Sequence, residues 1–464
     1  MTTASNKMKM TSLLLALGLV AAACGSESAA DTADDAVESA APAQSDDDAG
    51  DDESMEDESM EDESMEDESM EDGATVTVTI ENIADFPVGD SGVFNTPTDA
   101  DEPGPALPGS GYAFTVAAAP GQRLSFATML VQSNDWFIAP GPEGIALYDG
   151  DGNPISGDVT DQLAVYDAGT EIDQPLGEGA DQAPRQAGPD TGADDPDNTV
   201  RSVDLDARDY VGVVVESLGD GLFEVTISND SQMALVPSPL APGAYAAHTD
   251  AVAFFMRGEP DAGLGLEAIA EDGDPAALGE ALAGLTGTST PLAPGAYASH
   301  TDDVAFFAIG DADAGLGLEA IAEDGDPAAF VEALGTLDAV SHSGAFTTPV
   351  GADEAGPLLP GGSYSFEVPV SEGRLSFATM FVQSNDWLFA TPAEGLDLAT
   401  VEGDVSDQLL VIDLGTEIDQ TPGVGADQAP RQAGPDTGAD DPDSSVRLVE
   451  GRSAERYIKV TIER

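Results

Sequence analysis

The sequence predicts an all-β protein: two antiparallel β-sandwich domains in tandem, with short helices, preceded by a disordered acidic tether. Three observations carry this. Short runs with an apolar residue at every second position recur along the chain. Turns rich in Gly, Pro and Asp separate them, and helical spacing is sparse. Two different blocks each occur twice, so the fold is built by repetition.

Lys7 and Lys9 precede an apolar run, Leu13 to Val20, that is too short to span a bilayer. Residues 1–23 therefore read as a secretory signal. Ala21-Ala22-Ala23-Cys24 follows, and Cys24 is the only cysteine. A cysteine behind small residues at the end of such a run resembles the bacterial lipobox, with Ala21 where the motif usually has Leu. That resemblance implies lipidation of Cys24, with anchoring to the outer face of the cell membrane by lipid alone. The alternative is an ordinary secretory signal with a chance cysteine. One cysteine allows no intramolecular disulfide, so an exported fold must be held by its core or by metal.

Residues 24–73 form the tether. Positions 25–73 hold 22 Asp or Glu and no Lys or Arg. Such a segment cannot bury enough apolar surface to offset chain entropy, and its charges repel one another. Met55, Met60, Met65 and Met70 repeat within it and would suit a soft metal such as copper(I). Without Cys or His nearby, a solvated spacer is the better reading. The whole chain carries a formal net charge of −75, with 14 Lys and Arg against 89 Asp and Glu. This composition argues against nucleic acid and anionic lipid headgroups as direct partners. It suits a medium in which cations screen the repulsion.

One repeated block runs from about 104 to 201 and again from 356 to 447. The other runs from 239 to 285 and again from 291 to 337. The second block opens on LAPGAYA, a turn followed by a strand. VAFF reads as a short buried strand. Leu318, Ile321 and Ala322 have the spacing of one or two helical turns. Asp326 and Pro327 are a helix start, because the Asp caps free N–H groups and Pro at the first position loses no bond. A helix over 327–334 follows.

The first block is mostly strand. Tyr112, Phe114 and Val116 alternate, as do Tyr364, Phe366, Val368 and Val370. LSFATMLV is a longer, nearly continuous run, as expected of a central strand buried on both faces. VTVTI at 76–80, FEVTI at 223–227 and KVTIE at 459–463 look like opening or closing strands.

LSFATMLV and its copy both end in Ser-Asn-Asp-Trp, at 133–136 and 384–387. These hold the only two tryptophans, Trp136 and Trp387. Further on comes YDAGTEID, with Asp167, Glu171 and Asp173, and its copy IDLGTEID, with Asp413, Glu417 and Asp419. An acid at a strand end and two more around a Gly turn present carboxylate oxygens to one point, as hard divalent cations require. Solvated turn residues are the competing reading in so acidic a chain.

These motifs, with QAPRQAGPDTGADD after the second and PLAPGAYASHTDDVAFF before the later copy, resemble the spondin N-terminal domain in its F-spondin and bacterial forms. The resemblance implies an antiparallel β-sandwich, a bound calcium and an adhesive, non-enzymatic role. It places calcium ligands at Asp135, Asp167 and Glu171 and at Asp386, Asp413 and Glu417. Glu171 and Glu417 stand where animal members have Asp. It also divides the chain: 74–230 is a first sandwich lacking its front half, 231–290 an extra front-half repeat, and 291–464 a second sandwich. The extra unit is expected either to fold back onto 104–201 or to decorate the second sandwich.

Three further features carry less. Asp149-Gly-Asp-Gly-Asn153 resembles the start of a calcium loop, but Pro154 stands where that loop needs Gly, so it reads as a hairpin turn. Gly89-Asp90-Ser91-Gly92 recurs without its Asp and has no evident base beside it, and His248 and His300 read as ordinary residues near a strand. The identical loops 179–197 and 425–443 carry Arg185 and Arg431; the alternatives are a recognition surface and a recent duplication whose Arg pairs internally with an acid, and the second is expected.

The expectation is a calcium-binding surface lipoprotein that binds an extracellular protein or glycan. The alternatives are an envelope hydrolase acting on glycan through carboxylate pairs ~5–9.5 Å apart, and a ligand-free structural surface protein.

Overall fold

The computed structural model describes residues 75–369 and 373–464. The signal 1–23, Cys24, the tether 24–73 and Val370 lie outside the described residues. No helix among the described residues is long and apolar enough to cross a membrane.

The described chain is all-β, with two similar pairs of antiparallel sheets and four short helices. In the first sandwich one sheet runs Val88–Phe94, Leu240–His248, Arg123–Leu130, Trp136–Pro140, Leu163–Asp167, Arg201–Ser202, with Ile145–Ala146 also on Arg123–Leu130. The facing sheet runs Gly111–Ala117, Leu222–Asn229, Val211–Gly219, Gly157–Asp158. In the second sandwich the larger sheet runs Val340–Phe346, Leu292–His300, Arg374–Phe381, Trp387–Ala390, Leu410–Asp413, Arg447–Leu448, with Leu396–Asp397 on Arg374–Phe381. Its facing sheet runs Ser363–Pro369, Thr75–Asn82, Ile458–Glu463, Gly403–Asp404.

LSFATMLV is the central strand in both, with every residue from Leu124 to Leu130 buried. Its inner face packs Phe126 and Leu124 with Tyr112, Val213 and Phe223 of the facing sheet. Its outer face packs Ala127 with Leu266, Ile269 and Leu278. Those last residues belong to α1 (Leu266–Asp272) and α2 (Ala276–Leu285). In the second sandwich α3 (Leu318–Asp324) and α4 (Ala328–Leu334) take the same places. The predicted start holds: Asp326 Oδ1 accepts from the Ala328 N–H at 2.9 Å, as Asp274 does from Ala276 at 3.0 Å.

The Leu240–His248 strand pairs with Val88–Phe94 on one side and Arg123–Leu130 on the other. The extra front-half unit thus folds back onto the first block. The register repeats in the second sandwich, Gly243 facing Phe94 as Gly295 faces Phe346. A parallel bridge sets Thr286, after α2, beside Val88. In the second sandwich the chain itself makes that link, from α4 to Val340. The first sandwich is therefore a permuted version of the second: its front half comes after its back half.

Three expectations are corrected. VTVTI does not open the first sandwich. Thr75–Asn82 sits between Ser363–Pro369 and Ile458–Glu463 of the second, in the place that Leu222–Asn229 fills in the first. FEVTI closes the first block as expected, and FEVTI and VTVTI each lie between two neighbours in their sheets. Asn82 shows why either strand fits the slot. Buried, its amide donates to Thr290 O and Leu358 O, as Asn229 donates to Ala106 O and Ser238 O. VAFF is buried but joins no strand; Phe255 instead packs edge-on against Phe137 beneath the helices. LAPGAYA is strand throughout, and a register shift between Leu240 and Gly243 takes up Pro242, which has no N–H to give a ladder.

Ile80 lies fully buried in the second sandwich's core. Ile80→Ala is expected to cost ~2–5 kcal/mol. Hydrogen exchange should speed up in 363–369 and 458–463 while 111–117 and 211–219 stay protected. Faster exchange in the first sandwich instead would refute the exchanged position of 75–82.

Candidate metal centre

Ser-Asn-Asp-Trp is a clamp between the end of the central strand and the acidic loop. Ser133 Oγ donates to Leu130 O at 2.6 Å and accepts from Trp136 N at 3.0 Å, which turns the chain back on itself. Asn134 Oδ1 accepts from Gln174 N at 3.2 Å. Asp135 Oδ2 accepts from Thr170 N at 3.1 Å and Glu171 N at 3.2 Å. In the second copy Asp386 Oδ2 accepts from Thr416 N at 2.9 Å and Glu417 N at 3.2 Å. Asp167 ends its strand opposite Trp136, and its Oδ1 accepts from Gly169 N at 2.7 Å. Gly169 turns there with φ of 71°, a left-handed conformation that needs no Cβ.

One carboxylate oxygen from each of Asp135, Asp167 and Asp173 lies within 4.8 Å of the others, and likewise for Asp386, Asp413 and Asp419. Asp135 and Asp386 are fully enclosed, Asp167 and Asp413 nearly so, and Asp173 and Asp419 face solvent. Each tryptophan holds the third acid: the indole N–H of Trp136 donates to Asp173 at 3.3 Å, and that of Trp387 to Asp419 at 3.0 Å. Asp386 Oδ1 is buried without a hydrogen-bond partner among the described residues. A buried carboxylate oxygen left bare costs free energy that a cation would recover.

Arg201 Nε lies 2.9 Å from Asp167 Oδ2, and Nη2 lies 2.7 Å from Asp195. Arg447 lies 2.6 Å from Asp413 and 2.8 Å from Asp441. These counter-ions sit opposite the acids in strand register, Asp167 with Arg201 and Asp413 with Arg447. They do not neutralise the site. Burial first, then Asp135 and Asp173, pushes Asp167 up to about 7 despite Arg201. Burial raises Asp135 to about 6 and Asp413 to about 7. An oxygen-only donor set of this charge can hold a hard metal ion.

The structure does not bring the Glu171 and Glu417 carboxylates to these trios. They give their backbone N–H groups to Asp135 and Asp386, while their side chains turn the other way. Glu171 Oε1 accepts from Gly192 N at 2.7 Å, and Glu417 Oε1 from Gly438 N at 2.8 Å. Glycine is required there, because a Cβ on Gly192 would lie 2.1 Å from the Glu171 carboxyl. Beyond Glu171 stands Glu271 of α1, and beyond Glu417 stands Glu323 of α3. Both are buried, and burial pushes each up to about 8.

Among the described residues, Arg185 and Arg431 pair with no acid. Arg185 donates to Gly179 O at 2.6 Å and Gln132 Oε1 at 3.1 Å, and Arg431 to Gly425 O at 2.7 Å and Gln383 Oε1 at 3.1 Å. They order the identical loops from within. Asp149 is a turn residue, accepting from Asp151 N and Asn153 N.

Sequence reasoning missed a Ser–His pair. His248 Nε2 lies 2.8 Å from Ser125 Oγ and Nδ1 lies 2.8 Å from Thr249 O; His300, Ser376 and Thr301 repeat this. The only signal was a serine inside an apolar run. The pair is enclosed, each His being 1% exposed, and burial keeps the ring neutral by lowering its pKa. It ties two strands rather than presenting a nucleophile.

Comparison with protein-family models and with curated proteins finds no match to this chain.

Glu271 and Glu323, raised to about 8 from 4.5, keep in the fold a proton that the unfolded chain has released. Stability without metal therefore falls as pH rises from about 4.5 to about 8, then levels. In chelator, Glu271→Gln with Glu323→Gln should leave melting unchanged near pH 4. It should raise the melting temperature by about 5 °C at pH 9. An equal effect at both pH values would disprove the raised proton affinity.

Proposed function

We propose that this chain is a non-catalytic, lipid-anchored cell-surface protein whose two sandwiches each hold one calcium ion. It would serve in adhesion to, or binding of, an extracellular protein or glycan. The observation that carries the metal is the twofold repetition of one trio, Asp135–Asp167–Asp173 and Asp386–Asp413–Asp419, with its inner carboxylates buried. Calcium is the ion because it takes 6–8 oxygens in irregular geometry, which suits ligands from one strand end and one loop. Enclosure of the inner acids speaks against a glycan hydrolase, whose carboxyl pair must face an open cleft. The surface role rests on the lipobox-like Ala-Ala-Ala-Cys24 and on the resemblance to the spondin N-terminal domain, both read from sequence.

The test uses the two tryptophans, each hydrogen-bonded to the outer acid of one trio. Protein stripped with chelator is titrated with calcium while tryptophan fluorescence and melting are followed. A saturable change is expected, with ~2.7 kcal/mol of added stability at a hundredfold excess over Kd. Magnesium should not reproduce it, and Asp135→Asn with Asp386→Asn should abolish the fluorescence change. A flat calcium titration would sink the reading.

A further inference from the structure

We infer that each sandwich carries a second divalent-cation site, between the front-half helix and the back-half acidic loop. Its ligands are Glu171, Glu271 and Asp190 in the first sandwich and Glu417, Glu323 and Asp436 in the second. The site shares no carboxylate with the trio proposed above, although the Glu171 and Glu417 N–H groups bond to Asp135 and Asp386.

Geometry comes first. Carboxylate oxygens of Glu323, Glu417 and Asp436 lie within 4.8 Å of one another, and two of these three residues are buried. The corresponding residues of the first sandwich occupy the same positions of the repeat. There Glu271 and Asp190 line one cavity of about 300 Å³, together with Asp261 and Glu267.

An unpartnered ligand atom supplies the second observation. Glu171 is 3% exposed, its Oε1 takes the Gly192 N–H, and its Oε2 is buried with no hydrogen-bond partner among the described residues. Asp261 Oδ1, on the cavity wall, and Asp313 Oδ1, its counterpart, are buried and unpartnered as well. Charge makes the third observation. None of the ion pairs among the described residues involves these glutamates or Asp190 and Asp436, whereas each trio has an arginine. Five acids line that cavity, Asp190, Asp261, Glu267, Glu271 and Asp272, with no basic residue among the lining, which suits a cation bound by oxygens alone.

The site has a structural consequence. Glu271 and Glu323 sit on the front-half helices, and the other two ligands of each set sit on the back-half loops. A cation there fastens one half of each sandwich to the other. In the permuted first sandwich it joins Glu271 to Asp190 and Glu171, 81 and 100 residues earlier in the chain.

The experiment counts calcium on the whole chain by equilibrium dialysis at physiological ionic strength, after chelation. Four tightly held ions are expected. Glu271→Gln with Glu323→Gln should remove two of them and leave the tryptophan response intact. Asp135→Asn with Asp386→Asn, whose amide oxygen still accepts the loop's N–H groups, should remove the other two and abolish that response. Asp190→Asn with Asp436→Asn, at exposed positions that leave the core untouched, should weaken the same two ions as the glutamine pair. An unchanged count in both the glutamine pair and the Asp190–Asp436 pair overturns the second site. Loss of ions in those variants alone, with Asp135 and Asp386 silent, upholds it and overturns the trio instead.

Discussion

Two backbone N–H groups donated to one buried carboxylate, Asp135 in the first sandwich and Asp386 in the second, hold each acidic loop on the end of its central strand. Without that clamp the loop would lose its register against the strand. Asp167, Asp173, Glu171 and the glycine-edged loop at 190–194 would then lose their common focus. The clamp brings like charges together in a chain that has few cations to spare. Arginine answers this at Asp167 and Asp413, indole N–H groups at the outer acids, and glycine N–H groups at Glu171 and Glu417. What remains unneutralised marks where the protein has room for metal.

The second organising fact is permutation. The same parts, in the same registers, are strung in two orders. In the first sandwich the helices follow the back half; in the second they precede it. The Thr75–Asn82 strand fills the slot that the second sandwich's own segment, ending at Glu463, leaves between Ser363–Pro369 and Ile458–Glu463. Neither half-repeat is a free-standing unit. Each strand or helix finds its place because its partners' buried surface, and buried amides such as Asn82 and Asn229, recognise a local pattern rather than a position in the chain.

Much of this was legible in the sequence. Alternation found the strands, the continuous run found the central one, and Asp326-Pro327 found the start of α4. The residue types at the site were legible too, because carboxylates around a Gly turn have little else to do in a buried place. Four things were not. The partner of VTVTI was hidden because FEVTI carries the same alternation, and only the spatial permutation decides between them. The direction of Glu171 depends on a glycine N–H twenty-one residues away, which spacing within TEID cannot reveal. VAFF showed that an apolar run fixes burial but not pairing: phenylalanines can fill a core from a loop. Arg201 and Arg447 looked unremarkable until strand register set them opposite Asp167 and Asp413.

The position of Thr75–Asn82 bears on how the protein would behave under tension. Any pull through the residues before Thr75 arrives at a strand bonded on both sides, in the middle of the most distant sandwich along the chain. A load along that strand strains its perpendicular rungs together, whereas a load across it would open them one at a time. The strand antiparallel to it, Ile458–Glu463, lies almost four hundred residues further on. Traction entering at Thr75 therefore passes first to the two strands that flank it, one of them at the other end of the described chain.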